Sequence, residues 1–206
     1  VNVVERLGRH LEKGIPRPSA TAYLQQVRKM VPSEPVIHID DSDVVKQDGY
    51  KFESLGIVRD GSESTSTKNV YKKRYHVTEA CVLTTSNHPV SIFSKIHSSA
   101  EKGYKSANVI TFEAMEQGAA LFKRATFCMD RGYDDNKMFL KLDDLEQDYV
   151  IRLTSKRKLL YHNKWTPATE LRDRRKGKIK TSVFYRGKEH EAYLSHVRVQ
   201  ITASRK

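Results

Sequence analysis

Cysteine is nearly absent: two residues in 206 cannot build a disulfide scaffold. Cys81 and Cys128 each lie inside an apolar run, which predicts buried thiols in a reduced compartment. Long apolar runs are missing too. Nothing approaches the roughly 20 consecutive apolar residues that a membrane-spanning helix requires. Residues 1–13 alternate charged and apolar side chains and lack the apolar stretch of a signal peptide. These absences predict a cytoplasmic protein with no membrane partner. The histidines at His38, His76, His88, His97, His162, His190 and His196 show no paired metal-ligand spacing, so none is given a catalytic role. The chain opens on Val1 without an initiator methionine, and a fragment is expected.

Charge is abundant, and its placement is uneven. The formal net charge is +12. Residues 1–150 hold 21 Lys and Arg against 21 Asp and Glu, whereas residues 151–206 hold 16 against 4. The whole excess therefore lies in the last 56 residues. Such an asymmetry predicts two parts, one of them facing a polyanion.

The apolar pattern predicts an α/β chain. Val4, Leu7 and Leu11, then Tyr23, Leu24, Val27 and Met30, fall at helical spacing. Val36, Ile37, His38 and Ile39 read as a short buried strand that ends in Asp40, Asp41, Ser42 and Asp43. Residues 60–69 (DGSESTSTKN) read as loop. Residues 75–84 and 90–97 read as a hairpin of two strands. Ser106 is a good cap for an amphipathic helix carrying Val109, Phe112, Met115, Ala119 and Phe122. Residues 125–129 form a second buried strand, again followed by an aspartate, Asp130. A turn at Arg131 and Gly132, a helix opened by Asp134 and Asp135, and a strand over residues 149–153 complete this part. Beyond it, residues 181–185 and 191–202 predict a small antiparallel β unit turning at Arg186, Gly187 and Lys188.

The chemical signal is the repeat of apolar strand and terminal aspartate at Asp40 and Asp130. A strand, hairpin, helix, strand order lets the two strands lie parallel and adjacent, so the two carboxylates converge. Two such acids repel unless a cation lies between them. Mg²⁺ or Mn²⁺ suits them, since hard cations take carboxylate, water and phosphate oxygens. Acids after strands also serve as caps and turn residues, which is the structural reading for Asp41 and Asp43.

The segments VIHIDDSDV (36–44), Asp60, Gly61 and Ser62, KRYHVTEA (73–80) and FCMDRGYDD (127–135) resemble bacterial insertion-sequence transposases of the DDE superfamily. The resemblance implies an RNase H-like core with a mixed sheet of antiparallel hairpin and parallel strands. It implies an N-terminal helical segment (1–34), an incomplete catalytic core (35–154) and a basic β-rich insertion (155–206). It makes Asp40, with Ser42 two residues on, and Asp130, with Arg131, Gly132 and Tyr133 behind it, the catalytic metal-binding acids. Asp41 is the alternative to Asp40. The implied activity is metal-dependent DNA strand cleavage and strand transfer on transposon ends and target, by paired copies of the chain. The family's third acid, a helical Glu in a Tyr, Arg, Glu, Lys signature, has no match. Glu170, Glu189 and Glu191 do not fit it, so a truncated and inactive chain is expected.

The basic segment predicts DNA phosphate contacts from Lys156, Arg157, Lys158, Arg172, Arg174, Arg175, Lys176 and Lys178. Tyr161, His162 and Trp165 lie nearby as base-stacking candidates, with edge positions of the β unit as the plainer reading. Rival readings are another RNase H-like Mg²⁺-dependent nuclease, a phosphotransferase built on Asp41 and Asp43, and a non-catalytic DNA-binding remnant. The hairpin after the first strand argues against the phosphotransferase, whose fold expects helical crossovers.

Overall fold

The computed structural model describes residues 14, 16–60, 62–174, 179–185 and 188–194, with backbone alone from residue 172 onward. Two compact units emerge. One comprises the described residues up to Met129 together with Leu140–Val150; the other comprises Asp130–Phe139 and the described residues from Ile151 onward.

The first unit opens with helix α1 (Arg17–Met30). Pro18 sits in its first turn, where a missing N–H removes no helical bond. Arg28 and Lys29 lie in the last turn, where positive charge suits the helix dipole. The strands β1 (Val36–Val45), β2 (Gly56–Arg59), β3 (Tyr71–Leu83) and β4 (Pro89–His97) follow. Helix α2 (Ala107–Leu121) leads into β5 (Thr126–Met129). Helix α3 (Asn136–Asp144) then leads into β6 (Asp148–Ile151). The sheet order is β2-β3-β1-β5-β6, with β4 also paired to β3. β1 is antiparallel to β3 and parallel to β5, so the sheet is mixed, as the pattern predicts.

Why α2 covers the centre of the sheet is legible at Gly118. A Cβ there would stand 2.7 Å from Ile37 Cδ1 and 2.9 Å from Phe127 Cζ. The helix backbone therefore rests directly on β1 and β5. Ile37, Phe127, Met115 and Ala114 are all fully buried around this approach. A fully buried Phe or Met contributes roughly 1.5–3 kcal/mol through area removed from water.

Two expectations are corrected. β1 does not end at Ile39; it runs through all the acids to Val45. The cause is β3, which continues to pair alongside and places His76 and Arg74 opposite Asp43 and Val45. Ser106 does occupy the N-cap position of α2, but its hydroxyl makes no cap bond. The short strand β2 was not predicted at all.

The second unit begins with a 3₁₀ turn (Arg131–Tyr133). A tight hairpin follows, β7 (Lys158–Tyr161) against β8 (Lys164–Pro167). Its turn residues His162 and Asn163 take φ of 47° and 59°, the left-handed pair that a two-residue hairpin demands. Helix α4 (Ala168–Arg174) and a second hairpin, β9 (Ile179–Tyr185) against β10 (Lys188–Leu194), complete it. The sequence predicts only the second hairpin. Tyr133, Met138, Phe139, Leu159 and Leu171 form the buried interior. Among the described residues, four α-helices are present and none is long and apolar enough to cross a membrane.

Candidate catalytic site

The parallel pair β1 and β5 aligns Ile37 with Phe127, His38 with Cys128, and Ile39 with Met129. The next residue of the chain after each strand's last paired position is an aspartate, Asp40 and Asp130. Side chains alternate along a strand, and Ile37 and Ile39 are buried beneath α2. Asp41 and Asp43 therefore share the side of Ile37 and Ile39, although both are themselves exposed. Asp40 falls on the other, with the exposed His38.

The acids on the Ile37 and Ile39 side have partners. Asp41 Oδ1 accepts a 2.6 Å bond from Thr78 Oγ1. The same hydroxyl lies 2.9 Å from His97 Nε2. A hydroxyl has one proton, and here it goes to Asp41, so His97 Nε2 carries a hydrogen and donates to Thr78. Thr78 and His97 are both buried, and burial holds His97 below its ordinary pKa, which keeps it neutral. His97 stacks between the rings of His76 and Tyr104. Asp43 accepts from Arg74, and its Oδ1 lies 2.8 Å from His76 Nδ1. Asp40 differs: among the described residues its Oδ1 accepts only the local Asp41 N–H, at 3.0 Å. Its cross-strand partner is Glu79, a carboxylate that the sequence analysis did not single out.

Asp130 is exposed and caps the 3₁₀ turn, its Oδ1 accepting Gly132 N–H at 2.6 Å. A Cβ on residue 132 would come within 2.9 Å of that oxygen. Glycine is thus what lets the carboxylate lie over the turn. Asp135 opens α3 by accepting Lys137 N–H. Asp134 is wholly committed. It accepts Thr154 N–H at 2.7 Å and Arg157 Nε at 2.7 Å, and pairs with Arg157 Nη2 at 2.6 Å. Burial pushes its carboxyl up, but the Arg157 guanidinium and Thr154 outweigh burial and leave it below the ordinary value.

Asp60, the first residue of the polar loop, organises that loop. It accepts from the Ser62 hydroxyl and N–H and from Glu63 N–H, and pairs with Lys72. The Ser62 hydroxyl, followed by Lys72, holds its carboxyl well below the usual range.

The expected DNA-facing residues separate. Lys156 and Lys158 are exposed. Arg157 is not available as expected: all three of its guanidinium nitrogens serve Asp134 or Asn136, and it lies 5.2 Å from the Phe139 ring centre. Arg172 and Arg174 fall on α4, with side chains outside the described residues. Arg175, Lys176 and Lys178 lie outside the described residues. Trp165 is exposed on β8, and Tyr161 meets His162 edge-on at 4.1 Å between ring centres.

As donors, Asp40 and Asp130 offer hard carboxylate oxygens, each oriented by a backbone N–H at one oxygen only. That donor chemistry fits Mg²⁺ or Mn²⁺. Among the described residues, no group of three or more His, Cys, Asp or Glu side chains is assembled to hold a metal. Of the acids within β1, Thr78 with His97 engages Asp41 and Arg74 engages Asp43, and no local signal reveals these partners because they come from β3 and β4.

The family model described as the transposase DDE domain matches residues 32–203. No curated protein matches the chain.

Proposed function

The chain belongs to the transposase DDE-domain family, and on that premise we propose that Asp40 and Asp130 are two carboxylates of its catalytic metal site. Membership implies a nuclease-type enzyme acting on DNA, and such domains generally use divalent metal ions. The observation that carries the residue assignment is the β1–β5 register, whose last paired residues are followed by these two acids. Asp40 is preferred to Asp41 because Asp41 is already hydrogen-bonded to buried Thr78.

The bound cation supplies activation of the attacking oxygen and stabilisation of the leaving oxygen. The residues supply position. Asp41 N–H fixes one oxygen of Asp40, and Gly132 N–H fixes one oxygen of Asp130, leaving the second oxygen of each for ligation. Glu79 across from Asp40 adds negative charge that favours a cation. In the cleavage step, the oxygen of water bonds to phosphorus, the bond from phosphorus to the departing sugar oxygen breaks, and that oxygen gains a proton. In strand transfer, a DNA 3′-hydroxyl replaces water as the attacking group.

Mn²⁺ titration of the chain, read by calorimetry or spin resonance, tests the assignment. Asp40→Asn and Asp130→Asn are each expected to weaken binding by roughly tenfold or more, and Asp41→Asn by much less. If both Asp40→Asn and Asp130→Asn leave Mn²⁺ affinity unchanged, the two acids do not form the site.

A further inference from the structure

The second unit contains a cleft of about 310 Å³ whose polar walls are Arg131, Arg152, Thr154, Ser155 and Thr169, with Leu153 as an apolar wall. None of these residues belongs to the acid pair or to the basic run that the sequence marks. Arg131 follows Asp130 directly in the chain, and Arg152 is exposed just past β6. Neither arginine has an ion-pair partner among the described residues. The buried carboxylate of Asp134 in this unit is already paired with Arg157. Two arginines thus line a small concavity with hydroxyl-bearing residues, and no carboxylate is among its lining residues.

The walls are built rather than incidental. Asp134, just past the 3₁₀ turn that carries Arg131, accepts Thr154 N–H and the Arg157 guanidinium. Arg157 N–H donates to the Thr154 carbonyl, and the Arg157 carbonyl accepts Ala168 N–H at 2.8 Å. These bonds tie together the three segments that line the cleft: the turn after Asp130, residues 152–155 and the start of α4. A guanidinium held near a rigid wall loses less freedom on binding than one on an open surface.

We propose that this cleft binds one phosphodiester of nucleic acid, with Arg131 and Arg152 converging on its oxygens. Guanidinium geometry favours this ligand, since its forked N–H groups match two phosphate oxygens at once. The leucine wall suits the sugar-bearing side of a diester better than a fully hydrated free anion. The identity of the phosphate as DNA rests on the transposase reading; the anion site does not. A strand seated here would enter within one residue of Asp130.

Binding of a short DNA duplex to the chain, followed by fluorescence anisotropy over a range of salt without divalent ions, tests it. Arg131→Gln and Arg152→Gln are each expected to weaken binding roughly tenfold, the loss typical of a charged hydrogen bond. Each also lowers the log–log salt slope by up to about one. Because both arginines clasp one phosphate, the double variant loses less than the product of the two. Arg152→Lys keeps the salt slope but not the full affinity, since a lysine restores the charge without the fork. Lys164→Gln, exposed on β8 of the same unit, serves as a surface reference and changes binding by less than either cleft variant. Duplex affinity unchanged in both single cleft variants overturns the proposal. So does protection by inorganic phosphate that needs the arginines while duplex binding does not, which marks a free-anion site. The absence of divalent ions makes the result independent of Asp40 and Asp130, whose failure the Mn²⁺ titration reads separately.

Discussion

The two aspartates follow aligned strands, yet their surroundings hold them by different means. Past Ile39 the chain stays a strand for six more residues, because β3 continues beside it. There the alternation of the strand sorts the acids: Asp41 and Asp43 find side-chain partners on the Ile37 and Ile39 side, and Asp40 is left to the other. Past Met129 the chain leaves the sheet at once and turns on Asp130 itself. There the sorting is done by hydrogen bonds, Gly132 for Asp130 and Arg157 with Thr154 for Asp134. Strand periodicity and turn chemistry thus reach the same result, one acid left largely unpartnered beside others that are consumed.

The largest effect is expected on the turn side. Arg157→Ala leaves the Asp134 carboxylate, 1% exposed, without its partner. Removing one member of a buried pair costs roughly 3–5 kcal/mol, readable by urea denaturation. The pH dependence sharpens this. In the parent, the Asp134 pKa is depressed, so its contribution is present above the unfolded value of 3.8 and is lost as pH falls through the folded value. In the variant Thr154 alone opposes burial, so the folded pKa rises relative to the parent and the acid-side slope shrinks. An equal slope in both proteins rules out the pair as its source.

A smaller effect is expected on the strand side. Thr78→Val keeps the shape and removes the hydroxyl between Asp41 and His97. It strands the His97 Nε2–H in the interior, at a cost of about 1–3 kcal/mol. Since Asp40 is held by its own neighbour's N–H, Mn²⁺ affinity should stay nearly constant once the variant is folded. A large loss of Mn²⁺ affinity instead transfers the ligand role toward Asp41.

The smallest effect on stability falls at Gly132→Ala. The position is exposed, so the fold should change by within about 0.5 kcal/mol. The added Cβ nevertheless displaces the Asp130 carboxylate, and Mn²⁺ affinity should fall about tenfold. Unchanged affinity would show that Asp130 reaches a metal without the Gly132 bond.

Much of this architecture was legible in the order of residues. The apolar runs ending at Ile39 and Met129, and the helical spacing through Met115, fix β1, β5 and α2 because each element must bury one face. The paired aspartates and the resemblance they carry follow from those runs. Less legible was the extent of β1: four polar residues in succession read as a turn, and only pairing with β3 keeps them extended. Charge counting placed Arg157 among DNA-facing residues, since a count cannot see that Asp134 lies folded against it. It also passed over Arg131 and Arg152, which stand outside the densest basic run and meet only through the cleft.

The sequence by itself determined the strand-and-acid pattern, the mixed α/β core and the family, because local periodicity and short motifs survive without coordinates. Only the tertiary structure decided which carboxylates and which arginines are already spent. That depends on partners brought in from distant segments: Thr78 and His97 for Asp41, Arg157 for Asp134. For Asp40 and Asp130, the chain supplied the candidates, and the burial and pairing of their neighbours left them with one backbone bond each.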